Sequence, residues 1–431
     1  MTGPVTLQHW LRHLEQQGPA PIALGLERVG LVSRRLWPTA KRIPVADLVL
    51  TVGGTNGKGS VVATTDALLR AAGRRVGRYT SPHLRHFNER IVIDGQMASD
   101  EALLQAFEQV EQARGQTDLT YFEFTTLAAF WLFSQARLDV AVLEVGLGGR
   151  LDAVNLIDAD VAVITGIALD HQSFLGDSRE AIGLEKAGIA RSGRPLVLGE
   201  RQPPDGLLST LQARGAKVLQ LGRDFDIVGA RQTEALLRLP GGQTLALLAP
   251  NLPGLHQWDN LAVATVAVAS LPTALFPDRM LQQRAQALLQ LPGRLQPVPA
   301  TVPAHVDVAH NPQAAAALAQ WWSTQPGPRH AVFGLLADKD LSGVIKPLLP
   351  LVDVWHPIQL QGPRARPVSE IVAALRQAGA VVEAGGDRHL PAVWDKLQQQ
   401  LEAAPAGSNV VAFGSFLLVA DVLELTSPVP A

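Results

Sequence analysis

The ten residues Thr51-Val52-Gly53-Gly54-Thr55-Asn56-Gly57-Lys58-Gly59-Ser60 constrain the fold of this chain more than any other stretch. They follow an apolar run, Asp47–Val52, and open a segment with helical spacing, Ser60–Ala72. Strand, glycine-rich turn and helix in that order are the context a phosphate cradle requires. The glycines let the backbone fold into a nest of N–H donors, the helix N-terminus adds positive potential, and a lysine reaches the terminal phosphates. The pattern departs from the usual G-x-x-x-x-G-K-[ST]: Val52 stands at the first glycine, and Gly59 separates Lys58 from the hydroxyl of Ser60. The chain has only seven lysines, so a lysine inside that turn is conspicuous.

The alternation continues along the chain. Arg137–Val145, Asp160–Ile167 and Pro195–Leu198 read as strands, and Ser178–Ala190, Asn260–Leu271 and Asp278–Leu291 as helices. Such alternation implies a mostly parallel sheet with helices on both faces. Between Leu291 and Ala304 stand Pro292, Pro297, Pro299 and Pro303, which forbid helix and mark a domain boundary. Beyond it strands are expected at His305–Val308, His330–Gly334, Val352–Trp355, Ala380–Val382 and Asn409–Phe413. The expectation is therefore two α/β domains. Residues 1–296 form a P-loop ATPase-type domain with an N-terminal helical segment over Met1–Glu15, and residues 297–431 a smaller Rossmann-like domain.

Composition excludes several classes. The 431 residues are 47% hydrophobic and 18% charged, enough to bury a large core. A net charge of −2 argues against a nucleic-acid or anionic-membrane surface. The absence of cysteine excludes a thiol nucleophile, an iron–sulfur cluster and a cysteine zinc site. No apolar stretch approaches the roughly 20 residues of a bilayer span. A soluble, cytoplasmic protein is expected.

Gly54–Ser60 resembles the phosphate loop of the Mur ligase superfamily, ATP-dependent ligases that join an amino acid to a carboxylate, and is most similar to its folylpolyglutamate and dihydrofolate synthases. The resemblance covers almost the whole chain. It includes Gly25-Leu26-Glu27-Arg28-Val29, Thr80-Ser81-Pro82-His83-Leu84, Glu144 through Ala153, Ala168-Leu169-Asp170-His171, Glu185-Lys186-Ala187-Gly188-Ile189, Pro292-Gly293-Arg294, Asp307 through Pro312, and Gly414-Ser415-Phe416.

The resemblance implies ATP binding by Thr55, Asn56, Gly57, Lys58, Gly59 and Ser60, with Asn260, Arg294 and Asp307 contributing from outside the loop. It implies two Mg2+ sites. Ser81 and Glu144 hold one beside Ser60, and Glu144 and His171 the other, completed by a carbamylated Lys186 whose new carboxylate is a metal ligand. Carbamylation turns a cation into an oxygen ligand, which suits magnesium. Lys58, Glu144, His171 and Lys186 are then the catalytic set. Thr120, Tyr121, Phe122 and Glu123, with Leu151, Asp152 and Ala153, match the pterin-substrate regions, and His310 and Ser415 lie near the incoming glutamate. Read alone, several of these residues have plainer roles: Glu144 salt-bridged, Lys186 on a helix surface, Asn260 a helix cap, Tyr121 and Phe122 in the core. Phe124 and Phe130 read as core.

The implied reaction adds L-glutamate to dihydropteroate, or to the γ-carboxyl of folate glutamyl tails, through an acyl phosphate. A monomer is expected, and a monovalent cation is compatible with the site. Three other readings stand beside it: a monofunctional folylpolyglutamate synthase, a peptidoglycan-precursor ligase of the same superfamily, and a P-loop nucleotide-binding protein without ligase activity. The short segment before the loop disfavours the second, which would need a UDP-binding domain there.

Overall fold

The computed structural model describes residues 6–16, 23–229, 231–385, 388–403 and 405–427. They form two compact units. One comprises Met1–Ala168, Leu175–Asn251 and Trp258–Gln290, the other Leu169–Phe174, Leu252–Gln257 and Leu291–Ala431.

The first unit is built on an eight-stranded sheet of β1 (Leu48–Gly53), β2 (Val76–Tyr79), β3 (Ile91–Ile93), β4 (Gln96–Met97), β5 (Val140–Glu144), β6 (Val161–Ile164), β7 (Pro195–Leu198) and β8 (Lys217–Gln220), in the order β4-β3-β2-β5-β1-β6-β7-β8. The six strands β2, β5, β1, β6, β7 and β8 are parallel, and β3 and β4 close one edge as antiparallel additions. The central strands are continuous apolar runs because both faces are covered. Helices Lys58–Ala71 and His256–Ala269 pack with Leu50, Val52, Val142 and Val163 on one face. Helix Tyr121–Ala136 packs with Val49, Ala141 and Leu143 on the other, where Phe124 and Phe130 are fully buried. A separate antiparallel sheet, β9 (Asp226–Val228), β10 (Glu234–Arg238) and β11 (Thr244–Leu248), was not expected from the chain pattern.

The second unit holds a five-stranded sheet of β12 (Gln296–Val298), β13 (Ala304–Asp307), β14 (Arg329–Phe333), β15 (Val354–Pro357) and β16 (Asn409–Phe413), ordered β12-β13-β16-β14-β15. Four strands are parallel, and β12 is an antiparallel edge. Pro297 therefore sits inside a strand, where an edge position tolerates its missing N–H. Ala380–Val382, expected as a strand, only brushes β15: Trp355 N–H donates to Val381 O, and Glu383 N–H to Trp355 O. The N-terminal helix spans Leu7–Gln16, and Met1–Val5 lie outside the described residues. Among the described residues no helix is long and apolar enough to cross a membrane.

Candidate functional site

The glycine-rich loop leaves β1 at Gly53 and enters helix Lys58–Ala71 through Gly57, whose φ of 86° is left-handed. A side chain there would be strained, and its Cβ would lie 2.6 Å from Asn260 Oδ1. Asn260 is the fifth residue of helix His256–Ala269, so it is not a helix cap; its carboxamide packs directly on the loop. The loop is fixed along its length to the end of β6. Thr55 N–H donates to Gly166 O at 2.7 Å, and Thr165 Oγ1 donates to Asn56 O at 2.6 Å. Thr55 Oγ1 bonds both Ala168 O and Ala168 N–H at 3.1 Å. Gly54 has no space for a Cβ, because the Thr165 side chain occupies it. Lys58 Nζ donates to Gly54 O at 3.1 Å and Thr55 O at 3.3 Å, so its charge stays over the loop. The first-turn N–H groups of this helix have no intrahelical acceptor, and they include those of Lys58, Gly59 and the buried Ser60. Thr165 was not singled out in the sequence; a hydroxyl at the strand end beside a glycine is the signal that marks it.

Glu144 ends β5 next to this loop: it is in register with Val52, and Val145 N–H donates to Val52 O at 2.9 Å. Glu144 is 5% exposed and its carboxylate accepts Ser81 N–H at 3.3 Å, so the structure brings Ser81 and Glu144 together. The turn after Glu144 is bolted to the helix that carries Lys186. Arg150 N–H donates to Glu185 O at 2.9 Å, Arg150 pairs with Glu185 at 2.8 Å, and a Cβ on Gly149 would lie 3.1 Å from Lys186 Cα. Lys186 is 3% exposed, so it is not a helix-surface lysine. Among the described residues no group of three or more His, Asp or Glu side chains forms a preformed metal cage. A buried carboxylate at a serine N–H beside a glycine-rich loop still suits magnesium, which takes few protein oxygens and completes its shell with water and phosphate.

His171 stands in the Leu169–Phe174 segment and groups with the second unit. It is left-handed, with φ 51°. Asp170 beside it accepts Lys339 Nζ at 2.7 Å and has His310 Nε2 at 3.6 Å. Burial opposes its ionisation, yet His310, His171 and Lys339 together hold its pKa well below the usual carboxylate range. His310 Nδ1 donates to Val308 O at 2.7 Å. Asp307 Oδ1 accepts Ala309 N–H at 2.8 Å and Oδ2 accepts Leu295 N–H at 3.0 Å; desolvation raises its pKa against the pull of Arg294. The Arg294 guanidinium lies 5.5 Å above the Phe416 ring. Ser415 is buried and caps helix Phe416–Leu425 by accepting Leu417 N–H.

Thr120 and Glu123 form a capping box at the start of helix Tyr121–Ala136. Glu123 is 3% exposed, and both of its oxygens are engaged by Arg28, at 2.9 and 3.3 Å, with Thr120 N–H adding a bond at 2.8 Å. Phe122 packs its ring on Gly146, where a Cβ would lie 2.6 Å away, and Tyr121 carries the Arg90 guanidinium 5.6 Å above its ring. Asp152 is buried and caps the turn Ala153–Leu156, accepting Val154 N–H at 2.9 Å and Leu147 N–H at 2.8 Å. Burial pushes its carboxyl up to about 6 against those donors and the charge of Lys58. Leu151 O accepts Gly25 N–H at 3.3 Å, which ties the Gly25–Val29 segment to the same turn.

Comparison with known proteins gives these features a context. Residues 52–268 match the Mur ligase middle domain, and residues 293–416 match the Mur ligase glutamate ligase domain. The chain is 40% identical over 421 residues to the dihydrofolate synthase/folylpolyglutamate synthase of Escherichia coli (strain K12), covering 97% of this chain and 95% of that one. It superposes on E. coli FolC in complex with DHPP and ADP with a TM-score of 0.90, at 39% identity over 99% of this chain and 98% of that one. A bifunctional folylpolyglutamate synthase/dihydrofolate synthase with Mn, AMPPNP and L-glutamate bound gives a TM-score of 0.87, at 39% identity over 99% of each chain.

Proposed function

Because this chain belongs to the dihydrofolate synthase/folylpolyglutamate synthase family of Mur ligases, we infer that it is an ATP-dependent ligase that adds L-glutamate to dihydropteroate and to folate glutamyl tails. The observation that carries the reading is the likeness to that family along 97% of the chain, with both Mur ligase domains in order.

We assign the chemistry to residues as the resemblance implies, with the geometry of the glycine-rich loop in support. The substrate carboxylate attacks the γ-phosphate of ATP, ADP leaves, and an acyl phosphate forms. The amino group of glutamate then attacks the acyl carbon; the C–N bond forms, the acyl C–O bond breaks, phosphate leaves with the bridging oxygen and its electron pair, and the amine releases a proton as the amide forms. The first-turn N–H groups and Lys58 receive charge that develops on the transferring phosphoryl group. Gly57 lets the loop approach the nucleotide, while Asn260, Arg294 and Asp307 complete its binding. No protein nucleophile is needed, in keeping with a chain that has no cysteine.

Ser60, Ser81 and Glu144 are the proposed oxygen ligands of one divalent ion. Glu144, His171 and a carbamylated Lys186 are those of a second. When bound, these ions neutralise phosphate charge and hold it in register for transfer. Lys186 is suited to carbamylation because a buried ammonium is costly, and its conversion to a carboxylate supplies an anion where cations bind. Tyr121, Phe122 and Asp152 are proposed to face the pterin, with Thr120, Glu123, Leu151 and Ala153 shaping that pocket through the capping box and the turn. His310 and Ser415 are assigned to the incoming glutamate.

The test of the route is isotope transfer. With 18O in the carboxylate of dihydropteroate, one labelled oxygen is expected in the phosphate released. Unlabelled phosphate alongside amide product would rule out the acyl phosphate.

A further inference from the structure

Asp170 and Lys339 form a buried ion pair to which no role has been assigned. The side chains are 10% and 6% exposed, and Lys339 Nζ lies 2.7 Å from Asp170 Oδ1. The same oxygen accepts the N–H of His171 at 2.9 Å. On the other oxygen stand Asn311 Nδ2 at 3.5 Å and His310 Nε2 at 3.6 Å. Lys339 is itself held in place. Its N–H donates to Leu336 O at 3.2 Å, and its carbonyl accepts Arg366 Nη2 at 2.8 Å. The same guanidinium nitrogen of Arg366 also donates to Ala337 O at 2.8 Å, so the Ala337–Lys339 turn is clamped from outside.

His171 needs such support. Its φ of 51° lies in the left-handed region, where a residue with a Cβ persists only when its surroundings impose it. Two bonds do so: its own N–H to Asp170 Oδ1, and Phe174 N–H to its carbonyl at 2.9 Å. A carboxylate that receives both a buried ammonium and the histidine's own amide fixes the backbone from which the imidazole projects. Partners beyond the ligand shell, fixing a ligand in this way, characteristically alter metal affinity by about 10- to 100-fold when removed.

We propose that Lys339 is a positioning residue: through Asp170 it fixes the direction of His171 and so sets the affinity of the second divalent ion. The proposal rests on the reading of His171 as a metal ligand. Lys339 touches neither ion nor substrate in this role, and it differs from Lys58, whose charge faces phosphate.

The test counts ions without turnover. Free Mn2+ is followed by electron paramagnetic resonance as it is titrated into the full chain with AMPPNP, for wild type, Lys339→Met, Lys339→Arg, Asp170→Asn and His171→Ala. Wild type binds two ions per chain. Lys339→Met and Asp170→Asn weaken one of them at least tenfold and leave the other unchanged, and Lys339→Arg restores most of the loss. In the ligase assay, excess Mn2+ recovers the rate of Lys339→Met. Unaltered binding in Lys339→Met overturns the proposal, as does equal weakening of both ions together with a fall in Tm, which marks a structural role only. If His171→Ala also binds both ions normally, the assignment of His171 fails. If His171→Ala loses one and Lys339→Met loses none, only the role of Lys339 fails. A wild-type chain that binds a single ion overturns both.

Discussion

Gly57→Ala tests whether the phosphate loop is as tightly built as its geometry implies. Two separate costs are expected. A Cβ at φ 86° meets the left-handed penalty of about 1–2 kcal/mol. The same Cβ would stand 2.6 Å from Asn260 Oδ1, an overlap of the kind that costs about 1–3 kcal/mol in a packed site. Asn260 projects from helix His256–Ala269, whose neighbours Val263, Ala264 and Ala267 are buried, so the helix cannot back away. A total near 3 kcal/mol lowers the Tm of the first unit by about 6–12 °C at roughly 2–4 °C per kcal/mol. Asn260→Ala removes only the second cost. In a double-mutant cycle Gly57→Ala is therefore milder in the Asn260→Ala background by about 1–3 kcal/mol. The assays are thermal unfolding and the KM for ATP, which should rise in Gly57→Ala because the displaced carboxamide no longer lines the loop. Wild-type Tm and KM in Gly57→Ala would show that the loop tolerates a Cβ there; a purely additive cycle would refute the contact between the two residues.

Three further outcomes are expected. Glu123→Gln weakens the clamp on Arg28 and costs about 1–3 kcal/mol of stability in chemical denaturation; an unchanged unfolding midpoint would contradict its role in the capping box and ion pair. His83 has its pKa lowered to about 4, first by burial and then by the Arg90 charge, and its Nδ1 accepts Arg90 Nε at 2.8 Å. The unfolded chain, with a histidine near pH 6.5, binds more protons in that window. Stability is therefore fully present above about pH 6.5 and falls as the pH is lowered towards about 4, and His83→Gln should flatten that dependence in pH-resolved Tm measurements. Depleting carbon dioxide from the buffer lowers activity if Lys186 is carbamylated, bicarbonate restores it, and peptide mass spectrometry finds the adduct on Lys186; an unmodified lysine in the active enzyme would contradict the assignment.

What could be read from the sequence depended on how local the determinant was. β1, the glycine loop and the following helix were legible because apolar run, glycines and helical period are contiguous. Pro195–Leu198 and Asn409–Phe413 were found residue for residue, since both are short apolar runs bounded by turn formers. The sheet of β9, β10 and β11 is not legible because its strands are short and exposed on one face: in Glu234–Arg238 only Ala235 and Leu237 are well buried, and the exposed Leu236 between them blurs the alternation of a half-buried strand. Thr120-Tyr121-Phe122-Glu123 carries a capping-box signature, and the box fixes both polar residues at the helix start. Asn260 reads as a helix start because the first turn, His256–Asp259, has mixed polarity. The Asp170–Lys339 pair joins residues 169 positions apart and leaves no local mark at all.

Ligation driven by ATP is tested most directly by counting both products. Purified protein is incubated with ATP, magnesium, dihydropteroate and L-glutamate, and dihydrofolate and ADP are quantified together, with each substrate omitted in turn. One ADP per dihydrofolate is expected, and almost no ADP when either dihydropteroate or glutamate is missing. ATP hydrolysis at the same rate without the two co-substrates, and no dihydrofolate with them, would contradict it.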